Sequence, residues 1–174
     1  MPADHILKRY DEELTNLNST LIAMGGLAES QLAEAIQAVT RRDSELAGEV
    51  VGNDLKVDEL EQKVEEQVMR LLALRQPIAG DLREIVSSLK IAADIERICD
   101  YAANIAKRSI ALNHTPNVKP VNAINRMGKL AQAQIKNVID AYVARDADKA
   151  LVVWSADEEL DDVYTGLFRE LLTY

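Results

Sequence analysis

The fold is decided by residues 89–104, which read Leu89-Lys90-Ile91-Ala92-Ala93-Asp94-Ile95-Glu96-Arg97-Ile98-Cys99-Asp100-Tyr101-Ala102-Ala103-Asn104. No proline or glycine interrupts this stretch, so it is typical of the middle of a long α-helix. At about 100° per residue, one face is apolar and is predicted to contact the core. It carries Ile91, Ile95, Ile98, Ala102 and Ile105.

The opposite face of this helix carries Glu96, Asp100 and Asn104 at intervals of four residues. Two carboxylates one turn apart can share a cation, and a site made only of carboxylates suits hard, oxygen-seeking metals better than zinc. The simpler interpretation is a solvated acidic face, and this stretch alone leaves both open. Cys99 lies between the two faces, where we expect a half-buried filler with low reactivity.

The composition predicts an all-α protein. Of the 174 residues, 48% are hydrophobic but only 4% are aromatic, with 7 Gly and 4 Pro, which favours helices over strands and turns. The formal charge of -9 argues against nucleic acid and against attraction to anionic lipid. The sequence has no apolar stretch typical of a signal peptide or a membrane span. We therefore expect a cytoplasmic protein with no direct membrane insertion.

Apolar spacing and helix-ending residues predict five helices. Gly25-Gly26 interrupts the first and requires either a neighbouring backbone that packs closely against it or a kink. Asp43 is placed to cap the second, and Arg75-Gln76-Pro77 ends it. The predicted helices are about Asp4–Arg41, Asp43–Leu74, Ala79–Leu112, Val121–Ala144 and Asp146–Thr173.

The second and third helices are predicted to form an antiparallel hairpin around Pro77. Positions equally far from the turn then lie level, since both helices rise by the same distance per residue. Asp54 and Asp100 each lie 23 residues from Pro77, and Asp58 and Glu96 each lie 19 residues from it. Four carboxylates at one height repel one another unless a cation lies between them. An acidic stripe of Asp54, Asp58, Glu61 and Glu65 follows the flank where the neighbouring helix is expected.

The sequence repeats itself at an offset of 103 residues. Met24-Gly25-Gly26-Leu27-Ala28 returns as Met127-Gly128-Lys129-Leu130-Ala131, and Arg42-Asp43 returns as Arg145-Asp146. The same offset carries Asp54 and Asp58 to Asp157 and Asp161. We therefore predict a duplicated three-helix unit, with residues 1–113 as the first repeat, 114–119 as a linker and 120–174 as an incomplete second repeat.

The second repeat lacks its third helix, because Tyr174 corresponds to Leu71 at this offset. Its two helices would leave an apolar groove open to water, and such a surface normally binds a partner. We expect a homodimer, in which helices could be exchanged between copies. We also expect a longer natural sequence that has been truncated.

These residues resemble the PhoU family of bacterial phosphate-signalling regulators over nearly the whole chain. Each motif is weak by itself, but the combination is specific. The resemblance rests on Ala23-Met24-Gly25-Gly26-Leu27, on Arg75-Gln76-Pro77 with Asp81-Leu82-Arg83, on Leu89-Lys90 with Asp94-Ile95-Glu96-Arg97-Ile98-Cys99-Asp100-Tyr101, and on Asn104-Ile105-Ala106.

The resemblance implies tandem antiparallel three-helix bundles that bind metal through a Glu/Asp-x-x-x-Asp motif. The implied ion is iron, with manganese or magnesium as alternatives. The fourth copy of the motif is missing, and Cys99 stands where glycine is usual in the family. The motif falls on Asp54 and Asp58, on Glu96 and Asp100, and on Asp157 and Asp161.

The resemblance also implies regulation rather than catalysis. Such proteins repress the phosphate-starvation response by linking the ATPase subunit of a phosphate ABC transporter to a sensor histidine kinase. One alternative is a metal-independent structural scaffold. Another is metal-assisted hydrolysis of phosphate esters, which the sequence disfavours because no set of positive residues accompanies the carboxylates. No Walker loop or paired nucleophile and base is present, so we predict that the chain is not an enzyme.

Overall fold

The computed structural model describes the backbone of residues 2–116 and 121–172 and the side chains of residues 8–116 and 122–172. Within these ranges the chain is all-α, without a strand, as predicted. Part of the predicted linker 114–119 lies outside the described residues, so the domain boundaries stay a prediction. The helices are α1 (Pro2–Arg41), α2 (Ser44–Arg75), α3 (Ala79–Leu112), α4 (Val121–Ala144), α5 (Ala147–Ser155) and α6 (Asp157–Leu171).

Local chemistry sets most helix ends, as the sequence predicts. The Asp43 carboxylate accepts hydrogen bonds from the amides of Glu45 and Leu46, at 3.1 and 3.0 Å, and caps α2. Its repeat equivalent Asp146 accepts from the Lys149 amide at 3.0 Å and caps α5. Helix α2 ends at Arg75, and its C-cap residue Gln76 has a left-handed φ of 48° directly before Pro77.

The first three helices pack on one another as an antiparallel bundle, and α4 packs along α1. The buried side chains come mainly from α1, α2 and α3. Helices α5 and α6 contact α4, and neither contributes a fully buried residue. Among the described residues, the second unit therefore consists of α4 with α5 and α6 packed against it.

Helix α3 is rotated relative to the prediction. Its buried face combines Ile95 with small residues, whereas Ile91, Ile98 and Ile105 are only partly buried on the flank of the core. The prediction of a half-buried Cys99 was wrong, because this residue is 1% exposed. Small side chains let α3 approach α1 and α2 closely, while Ile98 and Ile105 line cavities beside α4. The buried face comprises Ile85, Ser88, Ala92, Ile95, Cys99, Ala102, Ala103, Ala106 and Ser109.

The prediction of one unbroken helix over 146–173 was also wrong. The helix is interrupted at Ala156, whose φ and ψ are -80° and 0°, and this interruption separates α5 from α6. Three acidic residues follow in the first turn of α6, where they favour a helix N-terminus through its dipole: Asp157, Glu158 and Glu159.

The contact between α1 and α4 explains the glycines of the repeat. Helix α1 continues through Gly25, and a Cβ there would lie 2.6 Å from Ile139 Cδ1. A Cβ at Gly128 would lie 2.5 Å from Ile36 Cγ1. Each glycine is the repeat equivalent of the other, and so is each isoleucine. The two units therefore meet across an approximate two-fold axis. The close neighbour of Gly25 is an isoleucine side chain rather than the predicted backbone.

Side-chain hydrogen bonds also join α4 to the first bundle. The Tyr142 hydroxyl donates to Asn18 Oδ1 on α1, and Arg145 donates to Glu84 Oε1 on α3 at 2.8 Å. Asn18 in turn donates to the same Glu84 oxygen at 3.1 Å. This network fixes the end of α4 against α1 and α3.

Candidate metal centre

The four carboxylates predicted on the first bundle lie on α2 and α3, which pack against each other. Asp54, Asp58 and Glu96 are partly buried, and Asp100 is exposed. Their partial burial follows from their place on the helix flanks, next to the buried Val57 and Cys99. They form an acidic face along the seam between the two helices.

Electrostatics shows that these carboxylates act on one another. Partial burial raises the pKa of Asp54, and the charges of Asp100 and Asp58 raise it further, while Lys107 partly opposes them. The effect of the Asp100 charge on Asp54 agrees with the level positions that the hairpin register predicts for these two residues.

Glu96 shows the same pattern from the side of α3. Its pKa is raised by partial burial and by the charges of Asp100, Glu61, Asp58 and Asp54, in that order of size. Glu61 is the residue that the ligand prediction left out, although the sequence analysis placed it in the acidic stripe. Partial burial and the charges of Glu65 and Asp58 raise the pKa of Glu61 as well.

The donor set fits a hard cation, since it consists of carboxylates whose mutual repulsion a positive ion would relieve. The side chains are not already gathered into such a site. Among residues 8–116 and 122–172, no group of three or more His, Cys, Asp and Glu side chains is arranged to hold a metal ion. Binding would therefore require rotation of these half-exposed side chains.

The pair from the second repeat lies elsewhere. Asp157 and Asp161 are exposed on α6, and neither is among the charges that shift the pKa of Asp54 or Glu96. Asp157 is the first residue of α6 and lines an apolar cavity of about 530 Å³ with Trp154. The structure brings together the two pairs of the first bundle and leaves this pair by itself.

Cys99 lies beneath the acidic face. Burial raises the pKa of its thiol to about 12, with contributions from the carboxylates of Asp54, Glu96, Asp100 and Asp58. The thiolate is the reactive form, so the sequence-based expectation of low reactivity agrees with this environment. Because Cys99 is the sole cysteine, we expect Ellman's reagent to label the native protein at least about 100-fold more slowly than the urea-unfolded protein. Comparable rates in the two states would contradict the buried position.

Comparison with known proteins identifies the family. The family model described as PhoU domain matches residues 21–109 and 124–174. The chain belongs to the PhoU family. A Caulobacter vibrioides relative, named phosphate-specific transport system accessory protein PhoU homolog, is 48% identical over 172 residues, covering 98% of this chain and 75% of that protein. A Xylella fastidiosa relative of the same name is 49% identical over 170 residues, covering 98% and 70%.

Solved structures of PhoU proteins share the fold. The crystal structure of PhoU from Pseudomonas aeruginosa matches with a TM-score of 0.91 at 37% identity, covering 95% of this chain and 79% of that one. The phosphate transport system regulatory protein PhoU from Streptococcus pneumoniae matches with a TM-score of 0.88 at 28% identity, covering 94% and 77%. These names describe accessory and regulatory proteins, which supports the prediction that this PhoU chain is not an enzyme.

The raised carboxylate pKa values predict how stability depends on pH without metal. The pKa values of Asp54 and Glu96 are raised in the folded state, so their ionised forms destabilise it, and this penalty disappears as pH falls through the folded pKa values. We expect Asp54→Asn with Glu96→Gln to raise the melting temperature in chelator by roughly 1–3 °C at about pH 8, since solvent screens half-exposed charges.

This gain should vanish at about pH 3, where the carboxyl groups of the parent protein are protonated. Thermal melts followed by circular dichroism at both pH values measure it. The control is Asp94→Asn, which removes an exposed charge from the same helix. An equal gain from Asp94→Asn would assign the effect to net charge rather than to the acidic face.

Proposed function

We propose that this PhoU-family chain is a cytoplasmic regulator that represses the phosphate-starvation response by linking a phosphate ABC transporter to a sensor histidine kinase. Family membership carries the proposal, because relatives 48–49% identical over 98% of the chain are named accessory proteins of phosphate-specific transport. None of the helices among the described residues is long and apolar enough to cross a bilayer. The partners would be the transporter's ATPase subunit and the kinase.

A complementation assay tests the regulatory role. The chain is expressed in a bacterium that lacks its own PhoU protein and carries a reporter of phosphate-starvation genes. We expect repression at high phosphate to be restored, and the purified chain to retain the ATPase subunit or the kinase on an affinity column. Expression of the folded chain with no repression and no binding to either protein would refute the proposal.

We further propose that the acidic face of α2 and α3 binds a hard metal ion, with iron as the first expectation and manganese or magnesium as alternatives. The support is the mutual repulsion among Asp54, Asp58, Glu96 and Asp100, which Lys107 opposes only in part at Asp54 and which a cation would relieve. A bound ion would supply positive charge that draws α2 and α3 together, so it would stabilise the bundle. The chain's own residues provide oxygen donors on both helices.

Elemental analysis of the purified protein tests this site. Glu96→Gln with Asp100→Asn should remove the bound metal, whereas Asp157→Asn with Asp161→Asn should retain most of it, because the second pair lies by itself on α6. Metal content that is equal in both double variants would refute the assignment. A metal-free protein that still restores repression, and whose melting temperature is the same with and without chelator, would support the scaffold alternative. In the described part of the chain, that alternative is favoured by the absence of carboxylates already arranged around a metal position.

The open side of α4, α5 and α6 supports a homodimer, which we also propose. Apolar side chains are exposed along it, and two cavities of about 340 and 530 Å³ lie beneath it. Trp154, the sole tryptophan, is 78% exposed.

Covering this surface with a second copy should shift the fluorescence of Trp154 to shorter wavelength as protein concentration rises, and the mass in solution should double. A monomer with unchanged fluorescence at high concentration would exclude the dimer. The exposed residues include Val138, Val143, Leu151, Val152, Trp154, Tyr164 and Phe168.

A further inference from the structure

The two repeats differ in conformation at one equivalent position. Helix α2 is continuous from Ser44 to Arg75, whereas its counterpart in the second repeat breaks at Ala156. At the offset of 103 residues, Ala156 corresponds to Asn53. The offset is structural as well as sequential, because the caps Asp43 and Asp146 and the left-handed residues Arg42 and Arg145 also correspond.

One glutamine on α1 and its counterpart on α4 also differ between the repeats, because in the described part of the chain only the one on α4 has a hydrogen-bond partner for its side chain. Gln134 donates from its side-chain amide to the carbonyl oxygen of Ala156, at 3.1 Å, and so binds the backbone at the break. Gln31 is its repeat equivalent and is 2% exposed, yet neither Nε2 nor Oε1 has a hydrogen-bond partner among the described residues. A buried amide without partners is costly, and native proteins rarely contain one. Its natural partner, by analogy with Gln134, is the carbonyl of Asn53.

The residues around Asn53 favour a break more than those around Ala156 do. Gly52 precedes Asn53, and glycine weakens a helix. Asparagine is among the best N-cap residues, whereas Ala156 makes no side-chain cap bond at the start of α6. Asp54 would then become the first residue of the new helix, as Asp157 is in α6, where an acidic residue is favourable.

We propose that α2 opens at Asn53 in the native protein, that the Gln31 amide then binds the Asn53 carbonyl, and that the packing of α3 keeps α2 closed in the resting state. The second repeat shows the open form, with its glutamine bound to the backbone at the break. Opening moves Asp54 relative to Asp100 on α3. The hinge therefore couples the acidic face to the end of the bundle where α1 meets α2.

Amide hydrogen exchange of the whole chain tests the hinge. The first amides of a helix have no intrahelical partner, so opening at Asn53 exposes the amides of residues 54–56. These amides should exchange faster than those of Val64 and Val68, deeper in the same helix. Gly52→Ala, for which a Cβ meets nothing within 4 Å, should slow their exchange about fivefold by strengthening the helix. Gln31→Leu should slow it about tenfold, because it removes the bond of the open form and the unpaired amide of the closed form.

Gly48→Ala is the matched control, since a Cβ there also meets nothing within 4 Å and the residue lies one turn before Gly52. It should leave the exchange of residues 54–56 unchanged. If Gly48→Ala slows these amides as much as Gly52→Ala does, α2 frays from its N-terminus and the hinge is refuted. Exchange at residues 54–56 as slow as at Val64, or unaffected by Gln31→Leu, would refute it as well.

Discussion

Replacing Met24 with alanine is expected to lower the free energy of unfolding by about 2–4 kcal/mol, the usual cost of truncating a large core side chain. Met24 is 0% exposed in the core of the first bundle. Its repeat equivalent Met127 is only partly buried and lines an open cavity beneath α6. Met127→Ala should therefore cost about 1 kcal/mol or less, because the site has no closed cavity to leave behind.

Urea denaturation followed by circular dichroism measures both variants. The pair is matched, since the same side chain is truncated at equivalent positions of the two repeats. If both substitutions lower the free energy of unfolding equally, the cavity beside Met127 is not open in solution. If the loss at Met127 increases with protein concentration, a second copy covers the groove, as the homodimer proposal requires.

The second large effect is expected at the contact between α1 and α4. Gly128→Ala should lower the free energy of unfolding by about 1–3 kcal/mol, because its new methyl group would lie within 2.9 Å of three Ile36 carbons, of which Cγ1 is the nearest at 2.5 Å. Gly25→Ala should act in the same direction through Ile139. The free-energy cost of this steric overlap is expected to exceed the roughly 1 kcal/mol that alanine gains over glycine in a helix.

Gly26→Ala is the control, because a Cβ there meets nothing within 4 Å. It should stabilise the protein by about 0.5–1 kcal/mol through helix propensity alone. A double-mutant cycle with Ile36→Ala completes the test, since removing Ile36 should convert the loss from Gly128→Ala into a gain. If Gly128→Ala still lowers the free energy of unfolding when Ile36 is alanine, the cost does not arise at this contact.

Much of the fold is encoded in short segments and could therefore be predicted from the sequence. The caps Asp43 and Asp146 and the turn at Pro77 depend on neighbours in the chain, and the structure contains them as predicted. The duplication is visible because the spacing of apolar and turn residues recurs without a gap. The level positions of Asp54 and Asp100 follow from the turn and the helical rise, and their mutual charge effect fits this register.

The predictions that failed concern how helices face one another. The spacing of the isoleucines predicts that they mark the core face of α3. The true core face carries small residues such as Ala92 and Cys99, because these allow close packing on α1 and α2. The metal site that the acidic spacing indicated stays a prediction, because which rotamers the carboxylates adopt depends on both helices together. Glu61 acts on Glu96 across the seam, which no pattern within α3 reveals.

By itself, the sequence determined the first four helices, most helix ends, the repeat and the acidic seam, since caps, turns and periodicity act within a few residues of the chain. Only the tertiary structure decided the burial of Cys99, the break at Ala156 and the contact of each glycine with an isoleucine of the other unit. These features depend on which surfaces meet and which are left without a partner. Among the described residues, the surface without a partner is that of α5 and α6, which pack only on α4 and on each other and contribute no buried residue.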